Sequence, residues 1–175
     1  QGFSVSVSGE GVLSASAAVD TPRGTQASVS VRVSDGHTEP VAANITLRAT
    51  ASTRDLIAVT NETITEADQG VAETYDVTSN DISPFPGKPV KIVDAVVESG
   101  EVKSMIRTDG SLTVASTDDF VGRLVIRYRL QDATNDPSRA VDGRLTINVQ
   151  GAPDAPGRPT VSDIQSRKVV LSWTP

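Results

Sequence analysis

The chain has no cysteine among its 175 residues. Disulfides, thiolate metal sites and cysteine nucleophiles are therefore excluded. One histidine, His37, leaves imidazole catalysis and histidine metal clusters almost without material. Aromatics are scarce at 3%: Phe3, Tyr75, Phe85, Phe120, Tyr128 and Trp173. That is too few for a sugar-binding platform of several exposed rings, because Tyr128 and Trp173 sit at inward-pointing positions of their strands. Positive charge is in deficit. The net charge of −6 disfavours nucleic acid and anionic membrane as partners. No apolar run approaches the roughly 20 residues that span a bilayer, so no membrane insertion is expected. No signal peptide is visible, which fits a mature chain, a fragment or a cytosolic protein. Hydrophobic residues make up 37%, so a core must be built from Val, Ile, Leu and Ala.

What the chain does have is alternation. Ala27–Val33, Leu124–Leu130 and Leu145–Val149 alternate apolar or small residues with polar ones, which puts every second side chain on one face of a strand. Further strands are expected at Ser4–Ser8, Val12–Ala17, Ala43–Ala49, Ile57–Glu62, Ala72–Val77, Val90–Val97, Ser104–Arg107, Ser111–Ala115, Thr160–Ile164 and Lys168–Trp173. Asp35-Gly36, Pro84-Phe85-Pro86-Gly87, Asp109-Gly110 and Asp142-Gly143 punctuate them. Asp109-Gly110 supplies residues that tolerate positive φ and so predicts a tight hairpin. No segment of ten residues carries a helical period. The chain reads as all-β, an antiparallel sandwich architecture.

Residues 11–49 and 110–149 resemble one another. Val29, Val31, Val33 and Asp35 lie over Ile126, Tyr128, Leu130 and Asp132, and Ile45–Ala49 lies over Leu145–Val149. The spacing of about 100 residues is the size of one immunoglobulin-like sandwich. Residues 1–52 thus read as the C-terminal half of one repeat, and 53–151 as a complete one. Residues 152–159 form a proline-rich linker.

The linker is followed by Thr160-Val161 and by Val169-Val170-Leu171-Ser172-Trp173. This resembles the opening of a fibronectin type III domain, in which the tryptophan is a core residue. In the middle repeat, Asp76-Val77-Thr78-Ser79-Asn80-Asp81 is followed in order by Asp109–Val114, Asp119-Phe120-Val121-Gly122 and Val125–Asp132. That series resembles bacterial immunoglobulin-like and cadherin-like tandem repeats. The resemblance implies tandem immunoglobulin-like Greek-key β-sandwiches in a large bacterial cell-surface or secreted protein.

Four chemistries have candidate residues in the chain. Cadherin-like repeats place calcium at domain junctions, and calcium is the one cofactor the loop acids could hold. The candidates are Asp132, Asp136 and Asp154 near the second linker, and Asp55 near the first. Without a DxDxDG loop, these acids read as solvated turn residues, and no metal or other cofactor is expected. A Ser–His–Asp triad could use only His37, in a predicted hairpin loop, so no catalysis is expected. Pro86-Gly87-Lys88-Pro89 lacks the spacing of a phosphate loop. Phe85, held between two prolines, is the one ring expected to be exposed, or else packed over the end of the sandwich. Asn44-Ile45-Thr46 and Asn61-Glu62-Thr63 are glycosylation sequons for which no use is expected in a bacterial protein.

The expectation is a non-catalytic spacer or stalk, extracellular or on the cell surface, in support of adhesion. Its partners would be neighbouring domains of the same chain. Two alternatives stand beside it. One is a module binding a cell-surface glycan or protein through loops 82–88 and 133–139. The other is an accessory domain of a secreted polysaccharide-degrading enzyme.

Overall fold

The structure is a computed structural model that describes residues 2–151 and 157–172. It is all-β, with several sheets and one short 3₁₀ turn. Strands β1 (Phe3–Val7) and β2 (Leu13–Ala17) form one antiparallel hairpin, and β3 (Gln26–Val33) and β4 (Val41–Arg48) form another. Seven strands follow: β5 (Glu62–Asp68), β6 (Glu73–Asp76), β7 (Lys91–Ser99), β8 (Val102–Arg107), β9 (Ser111–Ser116), β10 (Gly122–Gln131) and β11 (Val141–Gln150). The 3₁₀ turn, Pro137–Arg139, lies between the last two. A third hairpin, β12 (Thr160–Gln165) with β13 (Lys168–Ser172), closes the described chain. The expectations for Trp173 and for linker residues 152–156 fall outside the described residues.

The seven strands make two layers, with orders β5-β11-β10-β7 and β6-β9-β8. One core lies between them. It joins Leu112 and Val114 of β9 to Leu124, Ile126, Tyr128 and Leu130 of β10 and Leu145, Ile147 and Val149 of β11. Each of these strands contributes every second residue, as the alternation requires. Fully burying a Leu or Ile side chain is worth about 1.5–3 kcal/mol, so this one face supplies most of the stability. Tyr128 is completely buried, and Gly143 is its partner across the pair. A Cβ on Gly143 would lie 2.5 Å from the tyrosine ring, so the ring takes the space that a side chain would fill.

Three local expectations need correction. Asp142-Gly143 is not a turn between strands: both residues lie inside β11, where Gly143 pairs with Tyr128 and leaves room for its ring. Ile57–Glu62 is not a strand. Ala58 makes a single bridge to Ile82, and the strand runs instead through Glu62–Asp68. Ile57 is buried and Val59 packs against the core, so this segment plugs the end of the sandwich where the apolar run had suggested pairing. Asp109-Gly110 does join two hairpin strands, yet neither residue adopts positive φ. Thr108 and Ser111 pair across the turn, so the loop between them is these two residues, Asp109-Gly110, and only the positive φ fails. Thr108 N donates to Ser111 O at 2.9 Å, and Ile92 N donates to Asp109 O at 2.8 Å. The turn is thus also bonded to β7.

Strands β1–β4 repeat the pairing of β8–β11. Ala27, Val29, Val31 and Val33 face Leu47, Ile45, Ala43 and Val41. Leu124, Ile126, Tyr128 and Leu130 face Ile147, Leu145, Gly143 and Val141. The closing bonds of the first hairpin correspond too. Ala18 N donates to Gly2 O at 3.1 Å, as Thr117 N does to Glu101 O at 3.2 Å.

Candidate functional site: the Arg139 joint

The connection from β10 to β11 begins with a turn in which Asn135 N donates to Asp132 O, and Asn135 itself sits at φ 54. Asn tolerates this left-handed conformation better than most residues. Asp132 Oδ1 accepts from Thr134 N at 3.0 Å and from Thr134 Oγ1 at 2.5 Å. Asp136 then caps the 3₁₀ turn, accepting from Ser138 N at 2.9 Å and Ser138 Oγ at 2.7 Å, with Pro137 at the first position. The Ser138 hydroxyl, followed by the Ser138 amide, holds the Asp136 carboxyl below its ordinary range.

These caps aim Arg139 inward. Its Nε donates to Asp132 Oδ2 at 2.8 Å, and the two side chains are 7% and 0% exposed. Its remaining donors take the backbone carbonyls of Ser52 at 3.2 Å, Arg54 at 2.9 Å and Asp55 at 2.6 Å. One guanidinium therefore clamps the segment that leads from the first two hairpins into β5. The ring of Phe85 lies beneath Arg139 at 5.8 Å and beneath Arg54 at 5.3 Å. Arg54 Nη1 also donates to Pro84 O at 3.1 Å. The joint borders an open crevice of about 910 Å³, which Phe3, Ala15 and Leu47 line on one side and Phe85, Asn135 and Asp136 on the other.

The structure thus brings Asp132, Asp136 and Phe85 to one place. Asp55 joins them through its backbone. Both oxygens of Asp132 are committed, one to Thr134 and one to Arg139. The Asp132 carboxylate is half of a buried ion pair and is not set out as an open metal ligand. Asp136 keeps one buried oxygen without a partner. Asp154 lies outside the described residues. Among the described residues, no three His, Asp or Glu side chains group as metal ligands. His37 is exposed, with Nδ1 2.9 Å from Asp35 O. Asp35 Oδ1 accepts from His37 N and Thr38 N, both at 2.8 Å, so this acid serves its own turn.

Sequence reasoning did not single out Arg139 as an anchor. The Asp136-Pro137 cap was legible, but its targets, 84 to 87 positions away, were not. A second polar cluster also escaped it. Tyr128 Oη donates to Glu62 Oε2 at 2.5 Å, and burial is the first cause that raises the Glu62 and Asp81 carboxyls above their ordinary range.

No protein-family model matches the chain, and no curated protein matches it. Among solved structures, it is similar to the endo-fucoidan hydrolase MfFcnA4 from glycoside hydrolase family 107, at 15% identity and a TM-score of 0.41. A point variant of that enzyme gives 16% and 0.40. Both likenesses cover 87% of this chain and 22% of the other, so the chain spans about a fifth of those enzymes' length. Among the described residues, no helix is long and apolar enough to cross a membrane.

Proposed function

We propose that this chain is a non-catalytic, tension-bearing spacer built from tandem immunoglobulin-like Greek-key sandwiches in a larger extracellular or cell-surface protein. The observation that carries the reading is the pairing of β5 with β11. They are the first and last strands of the seven-stranded unit, and they lie side by side and parallel, from Glu62 against Leu145 to Asp68 against Gln150. Tension applied at the two ends of the unit pulls these strands past each other. The ladder bonds are then loaded together in shear instead of opening one at a time. Arg139 adds an anchor upstream of β5, so force entering through residues 52–55 meets a buried ion pair first.

Single-molecule stretching between the chain ends tests this directly. The account predicts one cooperative rupture that releases about 280–330 Å of contour, the extended length of the unit less its folded span. Smooth extension without a force peak would contradict it.

A second reading is favoured by the crevice, where loops 82–88 and 133–139 converge on Phe85. That geometry supports a module for a glycan or a cell-surface protein, including one serving a polysaccharide-degrading enzyme. Saturable binding on a glycan or protein array, abolished by Phe85→Ala, would select it over the spacer.

A further inference from the structure

The first two hairpins have the pairing of β8–β11 and none of the strands that flank β8–β11. In the complete unit, β5 covers the free edge of β11, β7 that of β10 and β6 that of β9. On β4, β3 and β2 the matching edges are bare among the described residues. Their apolar faces are bare as well. Ile45 is 37% exposed and Val33 69%, whereas Leu145 and Leu130 at the matching positions are fully buried. Unpaired backbone beside an apolar face is a template for further strands.

We infer that the open face of residues 2–49 receives three further strands of the same polypeptide, entering at Gly2. This rests on the tandem-repeat part of the reading above and not on its mechanical part. The pattern is set by the complete unit. One strand runs parallel to β4 along Ile45–Leu47, one antiparallel to β3 along Val29–Val33, and one antiparallel to β2 along Leu13–Ala15. The order follows from the connection of β7 to β8 through Gly100-Glu101. Gly2 O accepts the bond that Glu101 O accepts in the complete unit, so the chain arrives at Gly2 from the site of a β7-like strand. The receiving face is also smaller, with Ala27 and Val31 where the complete unit has Leu124 and Tyr128. The incoming strands should therefore carry bulkier apolar residues to reach normal packing density.

Two measurements decide the matter. The first follows tryptic cleavage at Arg32 and Arg48 in this 175-residue chain and in the natural full-length polypeptide, with Arg127 and Arg144 as internal references. The expected result is rapid cutting in the chain alone and protection on the order of 100-fold in the full-length protein, as local opening becomes cooperative unfolding. Equal cutting in both, or a natural polypeptide without upstream strands, would overturn the inference. The second is light scattering on the chain alone. A monomer with Arg32 and Arg48 exposed is expected. A dimer that protects both sites would assign the face to a second copy, and a monomer that protects them would show that no occupant is needed. The stretching signature of residues 53–151 does not depend on either result, so the two proposals fail separately.

Discussion

Residues 2–49 and 53–151 use the same cross-strand pairs to different ends. Val29 faces Ile45 as Ile126 faces Leu145, yet only the second pair is sealed from water. Register is a local property, fixed by alternation and by turn length. Burial is a collective one and needs the second layer and the flanking strands. The two loops that follow Asp35 and Asp132 make the same point. Each aspartate accepts from backbone amides of its own turn. Only Asp132 also meets an arginine, because only its longer loop has room for the capped turn that presents Arg139.

The sharpest way to break the comparison is Arg139→Ala. It leaves Asp132 buried and unpaired, at a cost of roughly 3–5 kcal/mol in denaturant unfolding. It also frees the connecting segment. Spin labels at Ser28→Cys and Ser104→Cys, sites in a chain that has no other cysteine, should show a narrow distance distribution that broadens in the variant. A distribution equally broad in both proteins would remove the joint from the account.

Next come matched core truncations. Leu145→Ala should cost roughly 2–5 kcal/mol, because it opens a cavity in a closed core. Ile45→Ala, at the matching position, should cost less than about 1 kcal/mol in the same chain, because more than a third of the residue is already in water. Equal costs would mean that the first face is covered.

Gly143→Ala is smaller and still diagnostic. The added methyl would press on the Tyr128 ring and should cost roughly 1–3 kcal/mol through overpacking. Its counterpart Ala43 already carries that methyl against the smaller Val31. Ala43→Gly therefore relieves no strain and should show only the modest loss of a glycine in a strand, about 1 kcal/mol or less.

The smallest effect concerns pH. Burial raises the Glu62 carboxyl above its ordinary value of 4.5. A raised carboxyl favours folding in its protonated form. Its contribution is full below pH 4.5 and is lost as pH rises through the folded value. Glu62→Gln keeps an acceptor for Tyr128 and removes the charge. The variant should unfold at higher denaturant than the parent at pH 7 and at the same concentration at pH 3. Asp81 shifts the same way and would leave part of the slope in place.

These contrasts also show what was legible in the residues alone. The all-β character, β10, the second half of β11 and the inward side of Tyr128 were all readable, because a period of two needs only neighbouring residues, whereas Asp142-Gly143 read as a turn and lies within β11. The position of β5 was not. Ile57 and Val59 look like strand residues, but the fold spends them on plugging an end, while Glu62–Asp68, polar and threonine-rich, takes the edge beside β11. The joint was half readable. Asp132, Asp136 and Phe85 drew attention by type and by loop position, whereas their organiser, Arg139, acts through backbone carbonyls, and carbonyls leave no mark in a sequence.

Residue-resolved hydrogen exchange on the intact chain tests the central claim most directly. The account predicts that amides of β9, β10 and β11 exchange only through global unfolding, while those of β3 and β4, paired in the same register, exchange orders of magnitude faster through local opening. Equal protection of the two sets would show that stability resides in the shared pairing and not in the closed core, and would contradict the account.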